Sequence, residues 1–170
     1  WILTNQHNSI SGLCSIPGIS RFHNSYRSEL GGLYGIRLVV WAIEQIHSSL
    51  DVHLSIFCDG LEAIRKSSLP LNRARGSPTQ YDLLGAIWHL RRKLRCQPFF
   101  HHVKGHQAAP YSALDFPSQM NHLMDCRAKA FLRRSPSVPP PSIFMEPWTI
   151  YISGEKISGS IQHSVWDHCS

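Results

Sequence analysis

Residues 52–66 read Val52-His53-Leu54-Ser55-Ile56-Phe57-Cys58-Asp59-Gly60-Leu61-Glu62-Ala63-Ile64-Arg65-Lys66, and the change of pattern inside this stretch decides the fold. Val52, Leu54, Ile56 and Cys58 alternate with His53, Ser55, Phe57 and Asp59, the period of two that puts one set of side chains on each face of a strand. The alternation stops at Gly60, and residues 61–66 suit a short helix. The stretch therefore predicts a strand-turn-helix unit with a carboxylate at its turn.

Working outward, the period upstream is helical. Tyr26, Leu30, Leu33, Tyr34, Leu38 and Trp41 recur at helical spacing up to about residue 47, with Asn24 or Ser25 placed to cap the first turn. Before that, residues 1–4 and 9–16 mix β-branched and apolar residues around the polar residues 5–8 and stop at Pro17-Gly18, which reads as a hairpin. Downstream, the loop 70–78 precedes a second helix whose capping box would be Thr79 with Asp82 and whose apolar positions are Leu83, Leu84, Ile87, Trp88 and Leu94. Residues 99–103 form a short strand ending at Lys104-Gly105-His106. An irregular segment containing Pro110 and Pro117 follows, then a helix over about 121–134. The order strand, strand, helix, strand, helix, helix, strand, helix packs as an α/β fold with a mixed β-sheet flanked by helices.

Residues 1–134 make the principal domain. The three consecutive prolines at 139–141 mark residues 135–147 as a stiff linker, and residues 148–170 carry a further hairpin with Gly154-Glu155 at its turn.

A chain of 170 residues can bury a core without disulfide or metal staples. Its formal charge of +6 at 16% charged residues makes it modestly basic, not a disordered polyelectrolyte. The bases gather at Arg91, Arg92, Lys93, Arg95 and Lys104, and again at Arg127, Lys129, Arg133 and Arg134, which suits a polyanionic partner. Five cysteines without a Cys-x-x-Cys pair argue against a disulfide framework and against a zinc knuckle, so the expected setting is reducing and intracellular, not secreted. No apolar run has the length of a membrane span, and the start at Trp1 lacks the charged region of a signal peptide.

Three carboxylates stand where such folds gather ligands: Glu29 in the first turns of a helix, Asp59 at a strand end, and Asp125 early in the last helix. Carboxylates brought together repel unless a cation sits among them, and oxygen-only ligation suits Mg²⁺ or Mn²⁺. Taken singly, each has an ordinary reading as a helix or turn acid.

Their surroundings carry a resemblance. Asn24-Ser25-Tyr26-Arg27-Ser28-Glu29-Leu30, then Phe57-Cys58-Asp59-Gly60, then Val103-Lys104-Gly105-His106-Gln107, then Asn121-His122-Leu123-Met124-Asp125 with Ala128 resemble, in order, active-site motifs of the ribonuclease H family. The flavour is that of the domains attached to reverse transcriptases of retroelements. The resemblance implies a ribonuclease H-like fold and a two-metal-ion nuclease cutting the RNA strand of an RNA/DNA hybrid. It further implies Glu29, Asp59 and Asp125 as ligands of two Mg²⁺ or Mn²⁺ ions, and His106 as the mobile histidine near the scissile phosphate. Ser25 and Arg27 would face the substrate strands, and Arg91, Arg92 and Lys104 would hold phosphates. A reverse transcriptase domain in the same polyprotein is the implied partner, with no membrane and no small-molecule cofactor.

The sequence departs from that pattern at its start. The family opens with an aspartate on its first strand, and no Asp precedes Asp51 here. The opening hairpin matches the family's second and third strands, so the central first strand is expected to be missing and the chain, taken alone, to be poorly stable and inactive. The alternative reading is a catalytically inactive relic of the same fold that binds nucleic acid or a reverse transcriptase partner. Two further alternatives carry less weight. An integrase- or transposase-like nuclease is disfavoured by the strand end at Lys104-Gly105-His106. A zinc module built from Cys96, His101, His102, His106 and His122 is disfavoured because residues 99–105 read as strand.

Overall fold

The computed structural model describes residues 1–5, 8–16, 24–47, 53–70, 80–105, 110–134, 151–152, 155–156 and 165–166. Among the described residues it is a mixed α/β structure of four α-helices and small two-stranded sheets. His106, Thr79 and the linker 135–147 lie outside the described residues.

The opening hairpin pairs β1 (Ile2–Thr4) with β2 (Ser9–Ser11) antiparallel. Mutual backbone bonds between Trp1 and Gly12, both 3.1 Å, continue the ladder by one pair, after which residues 13–16 leave the strand. The hairpin is held on the long helix α1 (Ser25–Ile46) by the Trp1 indole, which lies so close to Gly35 that a Cβ there would meet it at 2.9 Å. As expected, Asn24 caps α1: its side-chain oxygen accepts from the Arg27 backbone N–H at 2.8 Å.

The predicted strand-turn-helix unit is present as β3 (Ser55–Cys58) and α2 (Leu61–Ser68). β3 pairs in parallel with β4 (Phe99–His102), Ile56 opposite Phe100 and Cys58 opposite His102. Between them runs α3 (Tyr81–Lys93), which packs along α1. Leu30, Leu33, Tyr34, Ile36 and Val40 of α1 meet Leu83, Leu84, Ala86, Ile87 and Leu90 of α3, with Leu54 and Ile56 beneath, in one core. Leu30, Leu33, Tyr34, Leu83, Leu84 and Ile87 are positions of the two helical periods, and Leu54 and Ile56 share one strand face; Ile36, Val40, Ala86 and Leu90 join them, while Leu38 and Trp41 are only partly buried.

The expected capping box of α3 involves Thr79, which lies outside the described residues. The residue preceding α3 is Gln80, left-handed at φ 64°, and the Asp82 carboxylate accepts from Arg27. The last helix, α4 (Phe116–Arg134), begins five residues earlier than the sequence predicts. Asp115 caps it, its Oδ1 accepting from the Ser118 N–H at 3.1 Å, and Pro117 sits in the first turn, where its missing N–H has no helical partner to lose. The C-terminal hairpin is present as β5 (Tyr151–Ile152) antiparallel to β6 (Glu155–Lys156).

Instead of one continuous sheet, the described strands form separate pairs, β1–β2, β3–β4 and β5–β6. No helix among the described residues is long and apolar enough to cross a membrane.

Candidate active site

Asp59 follows directly on β3, because Gly60 breaks the strand and opens α2. Its Oδ2 accepts from Asn121 Nδ2 of α4 at 3.1 Å, and its main-chain oxygen stands 3.1 Å from His102 Nε2. Glu29, in the second turn of α1, reaches the same strand end. Its carboxylate lies where a Cβ on residue 60 would have to be, so glycine at 60 leaves the space that the Glu29 carboxylate occupies. Gly105 stands close on the other side, where a Cβ would lie 2.9 Å from Asp59 Oδ2. Two glycines thus let a helix and a strand end bring two carboxylates together.

The electrostatics follow from that crowding. Partial burial and the neighbouring Asp59 charge push the Glu29 carboxyl above its ordinary value. Cys58, buried under the same strand end, has its thiol pushed up to about 11, chiefly by burial, and so is no nucleophile at neutral pH.

Asp125 reaches this neighbourhood from a different position than expected. Because α4 starts at Phe116, Asp125 lies in mid-helix and not early in it. It lines a small cleft with Asp59, Lys104, Asn121 and His122, and its Oδ2 accepts from Lys129 Nζ at 2.6 Å. From the sequence, Asn121 stood only as part of the Asp125 motif and His122 only there and in the disfavoured zinc set. The four-residue interval from Asn121 to Asp125, which puts both on one helix face, was the available signal.

Among the described residues no three His, Cys, Asp or Glu side chains converge closely enough to hold one metal ion. Glu29 and Asp59 are brought together; Asp59 and Asp125 share a cleft; the three do not close on a single point. The described members of the zinc set are not assembled either. His101 stacks on Phe57 while His102 turns to Asp59, as neighbours in a strand must, facing opposite sides.

The expected substrate contacts are divided. Ser25 is exposed at the start of α1, and Lys104 is exposed at the cleft. Arg27 is placed differently from the expectation: only 1% exposed, it donates from Nη1 and Nη2 to the two Asp82 oxygens at 3.0 and 2.8 Å, and to Gln80 Oε1. A guanidinium so enclosed ties α1 to α3 and does not face solvent. Arg91 donates to the Ser68 carbonyl at 2.6 Å, joining α3 to α2, and Arg92 lies over the Trp88 ring at 5.0 Å. Of the first basic cluster, Arg95, itself exposed, donates to the Glu44 and His47 carbonyls at the end of α1.

Comparison with protein-family models, with curated proteins and with solved structures gives no match for this chain.

Proposed function

We propose that this chain is a ribonuclease H-like domain of retroelement type whose ancestral activity is two-metal-ion hydrolysis of the RNA strand in an RNA/DNA hybrid. One observation carries the reading: Glu29 and Asp59, from two different elements, meet at the end of β3 in a space that Gly60 and Gly105 keep open, with Asp125 in the adjoining cleft. Two carboxylates held in mutual repulsion are a feature that a folded chain keeps where a cation is to be bound.

The donor chemistry fits a hard divalent cation, Mg²⁺ or Mn²⁺, with Glu29 and Asp59 as its first ligands and Asp125 as a third once its ion pair with Lys129 opens. Such a cation would supply charge neutralisation at the phosphate. The chain's own groups then have defined tasks. Asn121 holds the Asp59 carboxylate in place through its 3.1 Å hydrogen bond, and Lys104 draws the phosphate backbone toward the cleft. His106, by the motif it ends, would assist proton transfer.

A second reading, a non-cleaving relic of the same fold that binds nucleic acid or a reverse transcriptase partner, is favoured by a specific observation. The three carboxylates do not converge on one point among the described residues, and Asp125 is already neutralised by Lys129. The deciding experiment is incubation of the chain with a labelled RNA/DNA hybrid in Mg²⁺, beside the Asp59→Asn variant. Cleavage that the variant abolishes supports the nuclease; hybrid binding without cleavage in both supports the relic; neither binding nor cleavage overturns the nuclease and the nucleic-acid-binding relic.

A further inference from the structure

The β3–β4 pair has two unlike faces. Ile56 and Cys58 are buried and Phe100 packs against the core, so one face belongs to the helices. On the other face stand Phe57, 46% exposed, and Phe99, 57% exposed, together with exposed His53 and His101. The four rings are ordered as two stacks. Phe57 lies on its register partner His101 with centroids 4.8 Å apart and planes within 21°, and His53 lies on Phe99 at 4.7 Å and 10°. Two phenylalanines half in water are costly to keep unless something covers them.

We propose that this outer face of β3–β4 is a stacking platform for the bases of a single-stranded nucleic acid, a surface separate from the carboxylate cleft. Flat rings set side by side extend naturally by stacking with nucleobases, which all offer a π-face, so recognition would be tolerant of sequence. The neighbouring helix carries charge complementary to a phosphate backbone. α4, which packs against β3, exposes Arg127, Arg133 and Arg134, while its single acid Asp125 is paired with Lys129. The chain as a whole carries +6. A second copy of the chain fits less well: two half-exposed phenylalanines offer roughly 200 Å² of ring surface, against about 800 Å² per partner in a stable interface.

Binding of a fluorescein-labelled oligouridine single strand, read by anisotropy, tests the platform. The Phe57→Ser, Phe99→Ser double variant should bind at least about tenfold more weakly than the native chain, while Phe57→Tyr with Phe99→Tyr keeps the affinity because its rings still stack. If the serine variant loses its circular dichroism spectrum, His101→Ala makes the same comparison at an exposed position, with an expected loss of about fivefold. Unchanged affinity in the folded variants, no binding by the native chain, or self-association in sedimentation that the same substitutions abolish would each overturn the proposal. Hybrid cleavage depends on Asp59, not on these rings. A chain that stacks single strands but never cleaves leaves the platform standing and the nuclease reading fallen, and the converse result separates them the other way.

Discussion

Arg27 and Asp82, 55 residues apart in the chain, form a two-pronged ion pair whose side chains are 1% and 7% exposed. The pair fastens the first turn of α1 to the first turn of α3, at the end of the helix pair that carries Glu29. Both groups have left water, so each depends on the other for compensation.

Removing one partner therefore does more damage than removing both. Asp82→Ala should destabilise the fold by about 3–5 kcal/mol, because it strands a buried guanidinium, whereas Arg27→Met combined with Asp82→Leu should restore most of that loss. Urea denaturation followed by circular dichroism measures both. Equal stability of the single and double variants would refute the dependence.

Glu29 should be a stability burden where it stands. Its carboxyl is raised by partial burial and by Asp59, so the folded state holds its proton more tightly than the unfolded state does. Stability from this group is fully present below the ordinary glutamate value and is lost as pH rises through the higher folded value. At neutral pH, Glu29→Gln should raise Tm and remove any Mg²⁺-dependent rise in Tm that the native chain has. A lower Tm for the variant would contradict the repulsion.

Tyr26 gives an alkaline counterpart. Its hydroxyl is buried without a hydrogen-bond partner, and burial, with smaller contributions from Glu62 and Glu29, pushes it up to about 12. The folded state again holds the proton, so stability is full below pH about 10 and falls as pH rises toward about 12. Tyr26→Phe should leave stability at neutral pH unchanged or slightly improved and flatten the loss between those values, measured by thermal melts across that range.

Gly60→Ala should disturb the site without disturbing the core. The new methyl group would occupy the position of the Glu29 carboxylate, which must swing away from Asp59. Mg²⁺ titration followed by Tm should show a weaker response than in the native chain, with the far-UV spectrum kept. An undiminished response would mean that Glu29 is not a ligand.

Much of the fold was legible because its signals are local. The helical period from Tyr26 to Trp41, the alternation ending at Asp59 and the Asn24 cap each depend on residues a few positions apart, and the structure carries all three. The start of α4 was missed because Pro117 reads as a breaker in isolation. Only with Asp115 seen as the cap does that proline become a first-turn residue, and Asp125 then falls in mid-helix.

The partners of the charged side chains were not legible. Nothing near Arg27 in sequence distinguishes a substrate contact from a buried tether, because the distinction lies in Asp82 and Gln80, brought to it by the packing of α1 on α3. Glu44 is similar: an ordinary late-helix acid by its neighbours, it is buried and accepts from the N–H groups of Arg95 and Cys96 at 3.1 and 2.7 Å. By itself the sequence determined which segments become helix and strand and which faces are apolar, since backbone preference and periodicity act over one or two turns. Tertiary structure alone decided which carboxylates meet, which cations are spent inside and which aromatic face stays in water, because those outcomes depend on groups tens of residues apart sharing a few ångströms.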